Sequence, residues 1–147
     1  MRLAILSRAP DLYSTRRLVE AAEARGHEVQ VLDTLRCTAH LTANGPEGHY
    51  HGERLDPPDA IIPRIGSSIT FYGLSIVRQF EAMGVWTLNS AVGITRSRDK
   101  LRAHQFLAKK GIALPRTAFA HQADDAADLI TSVGGPPVRT ARAPAGT

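Results

Sequence analysis

The sequence predicts an open, doubly wound α/β sheet. Short apolar runs recur without internal alternation, as in strands buried on both faces, and they alternate with stretches of helical periodicity that stop at glycines. A segment rich in Gly, Pro, Asn and His, residues 38–58, interrupts the alternation and marks an irregular insert.

The first strand is Arg2 to Ser7 (RLAILS), an apolar run at the start of the chain. Ser14 then offers an N-cap to a helix over TRRLVEAAEAR, with Leu18, Ala21, Ala22 and Arg25 at helical spacing and Gly26 as the stop. Glu28 to Leu32 (EVQVL) is the second strand, so the opening residues form a βαβ unit with a parallel pair as its natural topology. Residues 38–58 form a hairpin or an ordered loop with NGPEG as the turn. A third strand ends in Ala60, Ile61 and Ile62. After Pro63 to Gly73 (PRIGSSITFYG), a helix over LSIVRQFEAMG carries Leu74, Val77, Arg78 and Glu81, with Ile76 and Phe80 widening its apolar face. Val85 to Leu88 is a fourth strand. Asn89 or Ser90 caps a helix through Ile94, and a further helix starts near Asp99, with Leu101, Gln105 and Ala108 near one face and Gly111 as its stop. An extended, proline-bounded segment follows, then a strand over Thr117 to Ala120 and a helix (AADLITSVG) capped by Asp124 and Asp125. From residue 136 to 147 all periodicity is lost, and a disordered tail is expected.

At 147 residues, 43% hydrophobic and 22% charged, the composition is that of a folded domain, with room for a piece of a second. No apolar run approaches the roughly 20 residues that cross a bilayer, and the start reads as a strand and not as a signal peptide. A cytoplasmic address and no membrane partner are the expectation. The single Cys37 agrees with a reducing compartment. The net charge of +4 is not a nucleic-acid signature: Arg139 and Arg142 supply half of it, and the remaining charges are interspersed in sign.

The polar junction at Pro63 to Gly73 follows a buried strand, which is where open α/β sheets place ligands. Arg64 and Gly66 read equally well as part of a binding loop or as an ordinary turn. Ser7 and Arg8 carry the same two readings, cleft-facing groups or turn residues. Their loop, SRAPDLYS, has no glycine, so it lacks the fingerprint by which a dinucleotide pyrophosphate is approached. That argues against an independent nucleotide or redox domain. His40, His49 and His51 raise the question of a metal, with His49 and His51 on one strand face. Without carboxylate or cysteine at ligand spacing, solvent-exposed loop histidines are the better reading.

PRIGSSITFYG, followed by NSAVGITRSRDKLRAHQFLAKKGIALPRT, resembles the amino-terminal part of RimK-type α-L-glutamate ligases, and MRLAILSR and EVQVLDTLRC are similar too. The likeness covers Met1 to about Gly135. It implies a Rossmann-like pre-ATP-grasp domain over residues 1–90 and the start of an incomplete ATP-grasp nucleotide subdomain over 91–135. It also implies the activity: phosphorylation of a carboxylate by ATP to an acyl phosphate, attacked by an amine, which adds glutamate to the carboxyl terminus of a small-subunit ribosomal protein. Lys100 matches the lysine that contacts ATP phosphates. Ser7, Arg8, Arg64 and Gly66 would stand on the substrate side, and oligomers are expected of the intact enzyme.

Magnesium is implied as well, with its ligands lying further along the family's chain than any residue here. Past Gly135 the likeness breaks: Ala141 stands where a second ATP-contacting lysine is called for, and no glycine-rich EGTQG-type loop follows. A truncated product or shifted reading frame, inactive alone, is the expectation. The alternative from another class is a non-enzymatic α/β module that binds an acidic peptide tail or small carboxylate through the same arginines.

Overall fold

The computed structural model describes residues 1–135, so the expected tail at 136–147 lies outside the described residues. Contacts divide the chain into two units, one ending at Thr95 and one beginning at Arg96.

In the first unit, β1 (Arg2–Leu6), α1 (Tyr13–Glu23) and β2 (Glu28–Leu32) form the βαβ unit. An insert follows, of β3 (Cys37–Thr42), β4 (Gly45–Tyr50) and β5 (Glu53–Arg54). The chain then returns through β6 (Ala60–Pro63), α2 (Thr70–Ala82) and β7 (Trp86–Thr87). The main sheet has the order β2-β1-β6-β7, with every pair parallel. β1 is central, and Ala4, Ile5 and Leu6 are buried, which is why its sequence shows no alternation. Leu32 from β2, Ile61 from β6 and Val77 and Phe80 from α2 complete one core.

Four short parallel strands and two helices in alternation are what the sequence predicts. The insert is more ordered than expected. It is a three-stranded antiparallel sheet, β3-β4-β5, whose turn is Ala43-Asn44, since Thr42 already faces Gly45. Most of NGPEG is therefore strand and not turn. His49 and His51 do not share a face: β4 ends at Tyr50 and His51 turns the chain with φ of 52°. Nor are His40 and His49 loop residues. His40 lies opposite Glu47 and His49 opposite Thr38, which makes the two histidines diagonal neighbours, and their rings stack at 3.9 Å.

The insert is fastened to α2 by side chains that reach its backbone. Gln79 Nε2 donates to the carbonyl oxygens of His40 at 3.0 Å and Glu47 at 2.9 Å, which belong to opposed strand residues. Tyr72 Oη donates to the Cys37 carbonyl at 2.7 Å. Gln79 is itself buried, so truncation to alanine strips two carbonyls of their donor where water is scarce. Gln79→Ala is expected to lower unfolding stability by about 1–2 kcal/mol in urea titration. It should also speed amide exchange in β3 and β4 more than in β1.

Cys37 is buried, and burial, then the nearby Asp33 carboxylate, push its thiol up to about 12. The reactive thiolate is therefore almost absent near neutrality. Alkylation by iodoacetamide at pH 8 should be slow in the native chain and complete only after denaturation.

Two boundaries depart from expectation. Ser14 is not a cap: α1 begins at Tyr13 and its N-cap is Leu12, which makes no side-chain bond. α2 begins at Thr70, inside the PRIGSSITFYG stretch, because a 3₁₀ turn at Ser67–Ile69 winds directly into it and Thr70 Oγ1 donates back to the Ser67 carbonyl.

α3 (Ala91–Arg98) starts in the first unit, and Ser90 Oγ accepts from the Gly93 N–H as its cap. In the second unit, α4 (Lys100–Lys109) is capped by Asp99, whose Oδ1 accepts from the Arg102 N–H. The half-buried side of α4 is Leu101, Ala103, His104 and Leu107, whereas the expected Gln105 and Ala108 are exposed. Thr117 to Ala120 is not a strand: a strand needs a pairing partner, and none of the described residues supplies one. α5 (Ala126–Val133) follows a 3₁₀ turn that holds Asp124 and Asp125, with no capping bond from the Asp125 side chain.

Candidate functional site

The strand order reverses between β1 and β6, because the chain leaves β1 for β2 on one side and later adds β6 and β7 on the other. The carboxyl ends of β1 and β6 therefore flank the point where an open parallel sheet splits its connections, the usual ligand crevice of such folds. Ser7 and Arg8 follow β1, and Arg64, Ile65 and Gly66 follow β6. All four sequence-predicted residues of the first unit come to this one edge.

They do different things there. Ser7 is buried. Its Oγ shares a hydrogen bond with Thr15 Oγ1 at 3.3 Å and accepts from the Ala9 N–H at 3.2 Å. It braces the β1–α1 loop instead of facing a cleft. Arg8 and Arg64 are exposed, and their contacts cross. From the first loop, Arg8 Nη2 donates to Ser68 Oγ in the second at 3.0 Å. From the end of β6, Arg64 Nη2 donates to Ser14 Oγ on α1 at 3.0 Å, while its N–H donates to the Leu6 carbonyl. Among the described residues neither guanidinium is paired with a carboxylate. A Cβ at Gly66 would stand 3.6 Å from Arg8 Nη2, an ordinary contact, so glycine keeps space beside the guanidinium without being sterically required.

The rest of the motif is packing. Ile65 points inward and is buried, and it lies against Gly73, where an added Cβ would overlap Ile65 Cγ2 and stand 3.1 Å from its Cδ1. The glycine of TFYG exists to admit the isoleucine of PRIG. Sequence reading missed Ser14 and Ser68 as arginine partners. Ser14 reads in the sequence as a helix cap and Ser68 as one more turn serine after a strand, so neither signals an arginine partner.

In the second unit, Lys100 is the first residue of α4 and is exposed. Arg96, Arg98 and Arg102 stand close to it in sequence, with Asp99 the one acid between them, and the Arg96 guanidinium lies 5.6 Å from the Phe106 ring centre. The start of a helix adds its own positive potential to such a segment.

Two shallow hollows, of about 140 and 190 Å³, lie elsewhere on the first unit, at Arg2, Gln30 and Pro58 and at Pro46, Leu55 and Met83. Both are below the roughly 300 Å³ of an ordinary small-molecule pocket, and neither is lined by the switch-point residues. Among the described residues, no three His, Cys, Asp or Glu side chains group to hold a metal ion, and no helix is long and apolar enough to cross a membrane.

The family model described as the RimK PreATP-grasp domain matches residues 1–94, the segment that builds this sheet and its crevice. The chain belongs to the RimK family. A second model, the RimK-like ATP-grasp domain, matches residues 97–142, so the family likeness extends some residues past Gly135. Similar curated proteins include the "Probable alpha-L-glutamate ligase" of Hydrogenovibrio crunogenus and that of Teredinibacter turnerae. Each is 62% identical over 138 residues, which is 94% of this RimK-family chain and 46% of the relative. The chain thus spans about half the length of the curated relatives it matches. Among solved structures, the ATP-grasp ligase PsnB complexed with a minimal precursor superposes with a TM-score of 0.68 at 20% identity, over 90% of this chain and 50% of that one. The macrocyclase MdnC of Microcystis aeruginosa MRC, bound with the precursor peptide MdnA, gives 0.64 at 17% identity, over 89% of this chain and 51% of that one. At such identities the superpositions speak for the fold, an α/β sheet of pre-ATP-grasp type leading into part of an ATP-grasp domain.

Proposed function

We propose that this RimK-family chain supplies the amino-terminal part of an ATP-dependent carboxylate–amine ligase that adds glutamate to the carboxyl terminus of a small-subunit ribosomal protein. The observation that carries the reading is the pair of arginines at the switch point, held by neutral hydroxyls and, among the described residues, without an acidic partner. A guanidinium so placed is ready for a carboxylate, which it binds about twice as strongly as a neutral acceptor. The relatives' name, alpha-L-glutamate ligase, supports the activity. That PsnB and MdnC were solved with precursor peptides supports a peptide acceptor.

The residues divide the work. Arg8 and Arg64 take the substrate carboxylate, Ser7 fixes the loop that carries Arg8, and Gly66 leaves room beside it. Lys100 takes the phosphates, to which its own charge, the neighbouring arginines and a helix start are suited. Bound ATP supplies the phosphoryl group that activates a carboxylate toward an amine. Magnesium does not fit the described residues: they offer no carboxylate cluster, and Asp99 beside Lys100 is engaged as a cap. The buried free thiol of Cys37 suits a cytoplasmic setting.

A chimera tests the reading. Residues 1–135 are joined to the remaining part of the Hydrogenovibrio crunogenus protein, and ATP-dependent transfer of labelled glutamate onto the ribosomal acceptor is measured. Transfer is expected from the chimera and not from the isolated chain. A folded chimera that transfers nothing would overturn the ligase reading and leave the module that merely binds an acidic tail.

A further inference from the structure

The two arginine–serine bonds run in opposite directions across the same crevice. Arg8 starts on the β1 wall and ends on Ser68 of the β6 wall, whereas Arg64 starts on the β6 wall and ends on Ser14 of the α1 wall. Each guanidinium is thereby fixed at both ends, on its own backbone and on the facing loop. Each has five N–H donors and spends one on a serine. Among the described residues the others have no partner. Ser14 has no competing duty, since α1 is not capped by it. Tyr13, next to Ser14 in the chain, and Phe71, three residues after Ser68, are large exposed rings, at 73% and 83% exposure, in the first turns of α1 and α2. Charge pairing alone explains a site for a small acid. An exposed aromatic residue in the opening turn of each helix that follows a crevice loop suits something longer, an extended peptide whose end is charged and whose body is not.

We propose that Ser14 and Ser68 are the positioning residues of a two-arginine clamp that reads the free α-carboxylate of a peptide tail, with Tyr13 and Phe71 contacting the residues before it. The proposal rests on the substrate-side role given above to Arg8 and Arg64, and names its ligand as a peptide terminus and not free glutamate. The serines do not touch the ligand. They hold two long side chains that would otherwise sample many rotamers and lose that freedom on binding.

The test uses the full chain and a fluorescein-labelled octapeptide of small neutral residues ending in a single glutamate, as free acid and as carboxamide, followed by anisotropy. The free acid is expected to bind at least tenfold tighter than the amide. Ser14→Ala and Ser68→Ala should each shrink that ratio about threefold to tenfold, Ser14→Thr should restore it, and thermal melts should stay close to the parent. Phe71→Ala should weaken both peptides alike and keep the ratio. Equal binding of acid and amide, absence of binding by either, effective competition by equimolar free glutamate, or a ratio unmoved by both serine variants would each overturn the proposal. Its failure is distinct from failure of the ligase reading, because the chimera can still transfer glutamate while the clamp discriminates nothing.

Discussion

Replacing Gly73 with alanine is expected to destabilise the first unit by about 2–3 kcal/mol, as overpacking of a filled interior does. The new methyl would overlap Ile65 Cγ2 and crowd its Cδ1. Neither partner can yield freely. Gly73 sits in the first turns of α2, between the exposed Phe71 and Tyr72 and the buried Leu74, Ile76 and Val77, so the helix cannot lift without exposing its apolar face. Ile65 is held where the backbone leaves β6. On helix propensity alone alanine should improve the position by up to about 1 kcal/mol, so the sign of the measured change decides between packing and propensity. Urea unfolding gives that sign. Combining Gly73→Ala with Ile65→Ala should cost less than the two single changes summed, because the second makes room for the first. Strict additivity would show that the two residues do not share the space assigned to them.

Arg64→Ala should reduce kcat/KM for glutamate transfer by the chimera about tenfold to a hundredfold, with little change in its melting temperature. The side chain is exposed and, among the described residues, its one bond is to the Ser14 hydroxyl, so little stability is at stake. A lost charge-assisted contact with substrate is worth on the order of 1.5–3 kcal/mol. Arg64→Lys should recover only part of the rate, since an ammonium cannot reach the hydroxyl and a carboxylate together as a planar fork does. If the effect falls on KM for acceptor and spares KM for ATP, Arg64 acts on the acceptor side. A change confined to KM for ATP would remove it from that role.

What the sequence made legible follows from where the physics is local. The unbroken apolar run of β1 can be read because a strand buried on both faces has no other pattern, and Glu28–Leu32 lies between the helix-stopping Gly26, two residues before it, and the polar Asp33 after it. The insert was harder. Ala, Gly, Pro and Glu in β3 and β4 carry weak strand propensity, and the order of these strands comes from Gln79 and Tyr72 more than thirty positions away. The start of α2 was placed late because Gly73 weakens the helical signal, while the reason for the glycine, Ile65, lies on another element. Thr117 to Ala120 includes the strand-favouring Thr117 and Phe119, but no strand lies beside it among the described residues. At the site, position was legible and partnership was not. Arg64 at a strand end could be singled out, but its serine stands 50 residues earlier in the chain, and Ser14 looked like a helix cap because such serines usually are.

The placement of the insert also governs the order in which the chain can assemble. Arg2 meets Asp59, 57 positions away, where β1 joins β6, while β3 and β4 meet across a two-residue turn. A hairpin of that kind forms within microseconds, long before the distant closure. Yet the side chains that hold it belong to α2, which follows it in the chain. The hairpin is therefore expected to form first as a transient, and its own pairing, which brings Cys37 opposite Tyr50, shortens the effective loop that β1 and β6 must close. On that expectation the insert acts as a splint, taking up part of the long connection before the central sheet closes.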